Sequence, residues 1–415
     1  MRVQPCTPQK TGVLFISSAE QPGADTFIHM LIMRSLDRAR FDVHVACSAG
    51  TRDARTPGYQ ALAAIPNLRL REANFGPSLS DRSGAGSVRE LVGAGSAIAS
   101  FGALARYIRA HNVRVLHSTD RPRDAVACAV LGRLTGAASI IHAHLKCADW
   151  MGRPLRWAMG HVDALIGVSA FVVGSLVESG YDAARTHAVL NAIDLPAWNP
   201  HLDGTAVRQE LGISAGAPVL ASAARLFSGK GQDDVIRALP AVCREFPGVR
   251  LLIIGRDDRQ VMRTSFTAEL KALAADLGVS SHVIFTGQRS DMPALMAACD
   301  VFALPSQEEP FGLVFVEAMA MKKPVVALNN GGAPEVVDHG KSGLLSAQGD
   351  VHALAANLLT LLRDPALRAR MGQYGRTQAE TRFSANRLAE DVARVYLALA
   401  APVRVNRVAL AGRPA

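Results

Sequence analysis

Glu309 and Glu317 bracket the segment Pro310-Phe311-Gly312-Leu313-Val314-Phe315-Val316. The apolar stretch Val301 to Leu304 ends just upstream at Pro305-Ser306, and helix-forming residues run from Leu313 to Met321. This order predicts strand, short loop and helix, with Glu309 in the loop and Glu317 inside the helix. Gly312 lets a ligand approach the backbone closely. The unpaired N–H groups and positive dipole end of a helix start suit a phosphate. One carboxylate in the loop and one in the helix could hold two parts of a phosphorylated sugar. The alternative is a surface helix with two solvated glutamates.

Two further turns bear on that choice. Ala224-Arg225-Leu226-Phe227-Ser228-Gly229-Lys230-Gly231-Gln232 lies between a predicted strand, 219–224, and a predicted helix. Arg225 and Lys230 could neutralise a diphosphate there, Arg through a fork of donors and Lys as a point charge. Asn330-Gly331-Gly332-Ala333-Pro334-Glu335 follows another predicted strand, and its paired glycines can expose N–H groups to phosphate or sugar. A solvated basic turn and an ordinary tight turn are the plain alternatives. All three turns follow parallel strands and should open on one edge of one sheet.

The elements that must position these turns alternate along the chain. Strands are predicted at 12–17, 41–47, 113–117, 139–142, 164–168 and 187–190, with helices at 26–36 and 88–110. After the breaker-rich Asp194-Leu195-Pro196-Ala197-Trp198-Asn199-Pro200 the pattern restarts. Strands are then expected at 219–224, 250–254, 282–286, 301–304 and 324–328, with helices at 232–245, 267–277, 292–298 and 313–321. Such alternation implies parallel strands joined by crossover helices. The fold class is therefore α/β, as two doubly wound Rossmann-like domains facing a cleft. The division expected is residues 1–196, a first Rossmann-like domain; 197–384, a second Rossmann-like domain; 385–400, a C-terminal helix; and 401–415, a disordered tail. Ligands of such sheets lie beyond the carboxyl ends of the strands.

In the order and spacing of Pro305-Ser306-Gln307-Glu308-Glu309-Pro310-Phe311-Gly312, the Glu309/Glu317 pair, the Arg225/Lys230 turn and Gly331-Gly332-Ala333-Pro334-Glu335, the chain resembles the GT-B glycosyltransferases, family 4 of the retaining enzymes. The resemblance runs from Gly12 to about Tyr396. It implies that Arg225 and Lys230 clamp the donor diphosphate, that Glu317 holds the ribose hydroxyls and that Glu309 faces the donor sugar. It implies further that the amides of Phe311, Gly312 and Leu313 meet sugar or phosphate oxygens, and that Gln288 and Arg289 contact the base. In the first half it points to Gly23 and Ala24, in a glycine-bearing loop near the phosphates, and to a histidine at the donor sugar. His142 and His144 both qualify, and His144 is favoured by its place at the strand's carboxyl edge. Two departures stand out. Arg256-Asp257-Asp258 replaces the Gly-Asp-Gly frequent in relatives, and Pro22 and Asp25 stand where many have Gly and Glu.

The implied reaction moves a sugar from a nucleoside diphosphate sugar to an acceptor hydroxyl, with retention and by front-side attack. The acceptor class (saccharide, lipid-linked or small-molecule) stays open. No cofactor is expected. Cations and a helix N-terminus can stabilise the leaving group without a metal, and no third ligand is evident beside His142 and His144. A non-catalytic nucleotide-sugar-binding protein, or an epimerase or phosphorylase on the same fold, is the alternative.

Bulk properties set the outer bounds. The net charge is +9, of which residues 1–200 carry +6. That suits an anionic acceptor or a membrane surface, and no zinc-finger or RNA-binding aromatic pattern supports nucleic acid. The six scattered cysteines have neither CxxC nor zinc spacing and read as reduced thiols. Residues 1–10 are polar and proline-bearing, so no signal peptide is expected. A cytoplasmic protein is expected, with a peripheral contact at the inner membrane face through Trp150-Met151-Gly152-Arg153-Pro154-Leu155-Arg156-Trp157 as one option and a packed helix start as the other.

Overall fold

A computed structural model describes residues 10–50, 54–76, 88–148, 150–258 and 264–400. The expected tail at 401–415 and Cys6 lie outside these residues.

The first sheet has seven parallel strands: β1 (Thr11–Ser17), β2 (Phe41–Cys47), β3 (Arg69–Glu72), β4 (Val113–Thr119), β5 (Ala138–Ala143), β6 (Ala164–Gly167) and β7 (Thr186–Ala188), in the order β3-β2-β1-β4-β5-β6-β7. The second has six: β8 (Val219–Ala223), β9 (Arg250–Ile254), β10 (Val283–Gly287), β11 (Val301–Ala303), β12 (Val325–Leu328) and β13 (Gly343–Ser346), in the order β10-β9-β8-β11-β12-β13. β1, β8, β11 and β12 are buried along almost their whole length because helices cover both faces. That is why they read as continuous apolar runs rather than alternating ones.

The expected two-domain α/β architecture is present. β3 and β13, both on sheet edges, were not expected. Nor were the helices Pro57–Ala63, Pro122–Thr135, Val351–Arg363 and Pro365–Thr381. Where described, the segment between β2 and the Val88–Ala110 helix carries a helix and a strand. Arg55 there pairs with Glu72 at 2.6 Å, and Arg69 with Asp42 at 3.3 Å.

The Ala385–Ala400 helix returns to the first domain. Leu388, Val392 and Tyr396 are fully buried in the core that holds Val13, Phe15, Val43 and Val115. Arg387 anchors its start by donating to the carbonyls of Leu190 and Asn191, at 2.7 and 2.8 Å. The five described cysteines carry free thiols. Among the described residues, no helix is long and apolar enough to cross a membrane.

Candidate active site

β8, β11 and β12 are neighbours, so the turns that follow them emerge side by side at the carboxyl edge of the second sheet. They interlock through close backbone approach. A Cβ at Gly231 would fall 2.2 Å from the Pro305 carbonyl oxygen, and one at Gly331 would fall 2.7 Å from the Glu309 nitrogen. Gly332 N–H donates to the Glu309 carbonyl at 2.7 Å. The glycines are needed because three backbones share this space.

The side chains meet at the same place. Lys230 Nζ lies 2.6 Å from Glu309 Oε2, and the Ser306 hydroxyl donates to that oxygen at 3.0 Å. Arg225 Nη1 reaches Asp258 Oδ2 at 2.5 Å, yet its side chain stays 64% exposed. Arg225 and Lys230 both stand over the Phe227 ring, 5.7 and 5.6 Å from its centroid. Two cations therefore share one turn, with Asp258 fixing one and Glu309 the other.

Gly312 begins the Leu313–Ala320 helix at φ +92°, a conformation that favours glycine. A Cβ there would lie 2.2 Å from the Phe315 ring. The Phe311 ring is buried and packs edge-on to Phe383 at 5.8 Å, so only its backbone can serve a ligand. Leu313 is half-buried and packs against the cores of both domains. The carboxyl of Glu317, in the same helix, has no hydrogen-bond or ion-pair partner among the described residues, and burial raises it to about 7.

A cavity of about 800 Å³ opens beside Arg225, bounded by Gly255, Ser265, Thr267, Phe285 and Gly287. It sits beyond β8, β9 and β10, next to the proposed diphosphate position. Gln288 is exposed beside Gly287. Arg289 is instead engaged by Glu210 at 2.5 Å and Asp291 at 2.7 Å. In the unusual Arg256-Asp257-Asp258 stretch, Asp258 holds Arg225, while Asp257 accepts from the Thr267 amide at 2.9 Å and the Ser265 hydroxyl at 2.7 Å.

In the first domain Gly23 precedes the Ala24–Ser35 helix, whose first residue, Ala24, is exposed. A Cβ at Gly23 would sit 2.7 Å from Asp25 Oδ1. Arg121, just past β4, grips Asp25 at 2.5 and 3.0 Å. Burial raises the Asp25 carboxyl, but the hydrogen bond and charge of Arg121 more than reverse this and hold it well below the usual carboxylate range. Asp120 accepts the His144 and Leu145 amides at 2.9 and 3.2 Å and so shapes the turn after β5. Its own carboxyl is pushed up by burial to about 7. Arg121 and Asp120 escaped the reading of the sequence, although their place directly after a strand was a signal.

His142 is fully buried on β5 and His144 half-buried beyond it. A third imidazole was not evident in the sequence; the structure supplies it from His29 in the Ala24–Ser35 helix. One ring nitrogen each of His29, His142 and His144 lies within 4.8 Å of the others. His29 Nε2, both nitrogens of His142 and His144 Nε2 are buried without a hydrogen-bond partner among the described residues. Each such orphan costs about 1–3 kcal/mol.

The two domains touch beside these groups. Glu335 accepts the amides of Ala170 and Phe171, at 2.8 Å each, at the start of the Ala170–Glu178 helix. Ser169 Oγ donates to the Pro310 carbonyl at 2.6 Å, and Lys146 pairs with Glu308 at 2.5 Å.

Comparison with known proteins bears on what this edge holds. The family described as "Glycosyl transferases group 1" matches residues 203–378, and "Glycosyl transferase 4-like domain" matches residues 23–192. A GDP-mannose-dependent monoacylated alpha-(1-6)-phosphatidylinositol monomannoside mannosyltransferase of Corynebacterium glutamicum is 33% identical over 282 residues, covering 62% of this chain and 71% of that protein. Glycogen synthase of Mycobacterium tuberculosis is 32% identical over 298 residues, covering 71% of this chain and 65% of that protein. The crystal structure of Anabaena HepE in complex with UDP superposes with TM-score 0.77 at 25% identity, over 94% of this chain and 100% of that one.

Proposed function

This chain belongs to the group 1 glycosyl transferases of the GT-B fold and uses a nucleotide-sugar donor; from that premise we propose that it transfers the sugar to an acceptor hydroxyl with retention at the anomeric carbon. The observation that carries this reading is the meeting of Arg225, Lys230, Ser306 and Glu309 on one strand edge, beside a cavity large enough for a nucleoside.

The difficult charge in the reaction develops on the departing diphosphate. Arg225, Lys230 and the start of the Leu313–Ala320 helix meet it with fixed positive charge and dipoles, so no metal is needed at the diphosphate. Glu317 accepts the ribose hydroxyls with a carboxylate that has no competing protein partner. Glu309, held in place by Lys230 and Ser306, faces the donor sugar, and His144 approaches from the other domain.

Glu309 and Glu317 do not form a hydrolytic pair. One is an ion-pair partner at the loop and the other belongs to the nucleotide half of the ligand, whereas hydrolysis needs two carboxyl groups flanking the scissile bond. Attack of the acceptor hydroxyl on the face from which the diphosphate leaves is the route to retention. Contact between the domains at Glu335, Ser169 and Lys146 would exclude water from that step.

HepE is described in complex with UDP and with UDP-glucose, and the Corynebacterium relative is described as GDP-mannose-dependent. Both donor classes belong in the test. Turnover of UDP, GDP, ADP and TDP sugars is measured for wild type and Glu309→Ala. Wild-type turnover lost in the variant supports the reading. Tight nucleotide binding by a silent wild type points instead to a binding protein.

A further inference from the structure

Four imidazoles gather at the carboxyl edge of the first sheet. His117 stands on β4 opposite Ile140 of β5, so His142, two residues further along β5, turns to the same face. His144 follows just beyond β5, and His29 descends onto both from the Ala24–Ser35 helix. Ring centroids are 4.5 Å apart for His142 and His144, 4.6 Å for His29 and His117, and 5.6 and 5.7 Å from His29 to His142 and His144.

We infer that His29, His142 and His144 together bind one divalent cation of the zinc type. Zinc–imidazole bonds of about 2.0–2.1 Å in a tetrahedral shell place ligand nitrogens roughly 3.4 Å apart. The three nitrogens already lie within 4.8 Å of one another, so side-chain rotations of about an ångström close the shell. The buried nitrogens of these three rings lack a hydrogen-bond partner among the described residues.

The donor set selects the ion. Three imidazoles without thiolate or carboxylate suit zinc, copper or nickel, whereas magnesium and calcium require oxygen. The nearest carboxylates are committed: Asp25 to Arg121, and Asp120 to the amides of His144 and Leu145. The fourth position is thus open to a water molecule. His117 lies behind the site, tied through Nδ1 to the Tyr396 hydroxyl. A bound cation would join the Ala24–Ser35 helix to β5 and fix the ring of His144. His144 is also the residue that the transfer reading sets at the donor sugar, but the inference does not depend on sugar transfer.

The test uses the full, tag-free chain stripped with EDTA. Zinc content after gel filtration, cobalt absorption in the visible region and thermal shift are read with zinc and with magnesium. One equivalent of zinc, a Kd of about 1 µM or tighter, tetrahedral cobalt bands and a melting temperature raised by zinc but not by magnesium are expected. His29→Ala should lower zinc affinity about 100-fold or more, and His29→Cys should restore it with a thiolate ligand. Retention of less than a tenth of an equivalent by wild type overturns the inference. So does His29→Ala binding as tightly as wild type, which would place the ion elsewhere among the 12 histidines. Wild-type zinc content decides the matter even if the variant fails to fold. Nucleotide binding by the stripped chain, measured in parallel, keeps this result separate from the transferase reading.

Discussion

Lys230 Nζ stands 2.6 Å from Glu309 Oε2, with the Ser306 hydroxyl donating to the same carboxylate oxygen. The pair is largely buried, so its members are not interchangeable with solvated charges. Removing the cation alone leaves a buried carboxylate uncompensated, at a cost of about 3–5 kcal/mol for a fully buried pair and less here, where both side chains keep some exposure. Lys230→Met is expected to lower both melting temperature and kcat/KM, the latter by about 100-fold or more. The double variant Lys230→Met/Glu309→Gln should recover most of the stability and none of the activity. Thermal denaturation and steady-state kinetics on the three proteins check this; recovery of activity in the double variant would show that the lysine serves only the glutamate.

If Glu317 holds the ribose as proposed, nucleotide binding is expected to depend on pH. Burial raises its carboxyl to about 7, so the folded chain keeps a proton that an unfolded glutamate loses from its ordinary value of 4.5 upward. Because the folded state binds more protons across this window, stability contributed by the neutral group is lost as pH rises toward 7. Ribose binding asks for the ionised form, so affinity for a nucleoside diphosphate should fall about tenfold per pH unit below 7. Calorimetric titration between pH 5.5 and 8 is expected to show that slope in wild type. In Glu317→Gln the slope should vanish and binding should be weaker throughout.

Gly312 cannot accept a side chain. Its φ of +92° and the Phe315 ring, 2.2 Å from where a Cβ would stand, act together. Gly312→Ala should destabilise the fold by about 1–3 kcal/mol and raise KM for the donor, because the helix start it sets is proposed to meet the phosphates. Urea denaturation and donor kinetics measure the two effects separately.

Tyr396 ties the last helix to the first domain through His117. Tyr396→Phe keeps the packing and leaves His117 Nδ1 buried without its partner, which should cost about 1–3 kcal/mol. Unfolding that reports on both domains should shift together, with little change in nucleotide affinity.

The sheets and the phosphate-side turns could be read because their physics is local. Buried parallel strands are continuous apolar runs, and glycines and cations at strand ends announce tight turns with charge. β3 escaped notice because Arg69-Leu70-Arg71-Glu72, exposed at the sheet edge, reads as charged loop. The Pro122–Thr135 helix buries small residues such as Ala125, Ala127, Cys128 and Ala129 and has no marked apolar stripe. Pairings across long sequence separations left no local trace. Asp25 and Arg121 are 96 residues apart, and His117 and Tyr396 are 279 apart. The third imidazole was hidden for the same reason: His29 looks like an ordinary core residue of an amphipathic helix until β5 is placed beneath it.

The structure of the complex with UDP or GDP tests the central claim most directly. The account predicts the diphosphate within hydrogen-bonding reach of Arg225 and Lys230, about 3 Å, with the ribose hydroxyls on Glu317 and the base in the cavity beside Gly255 and Phe285. A nucleotide seated on another face, with its phosphates away from both cations, would contradict it.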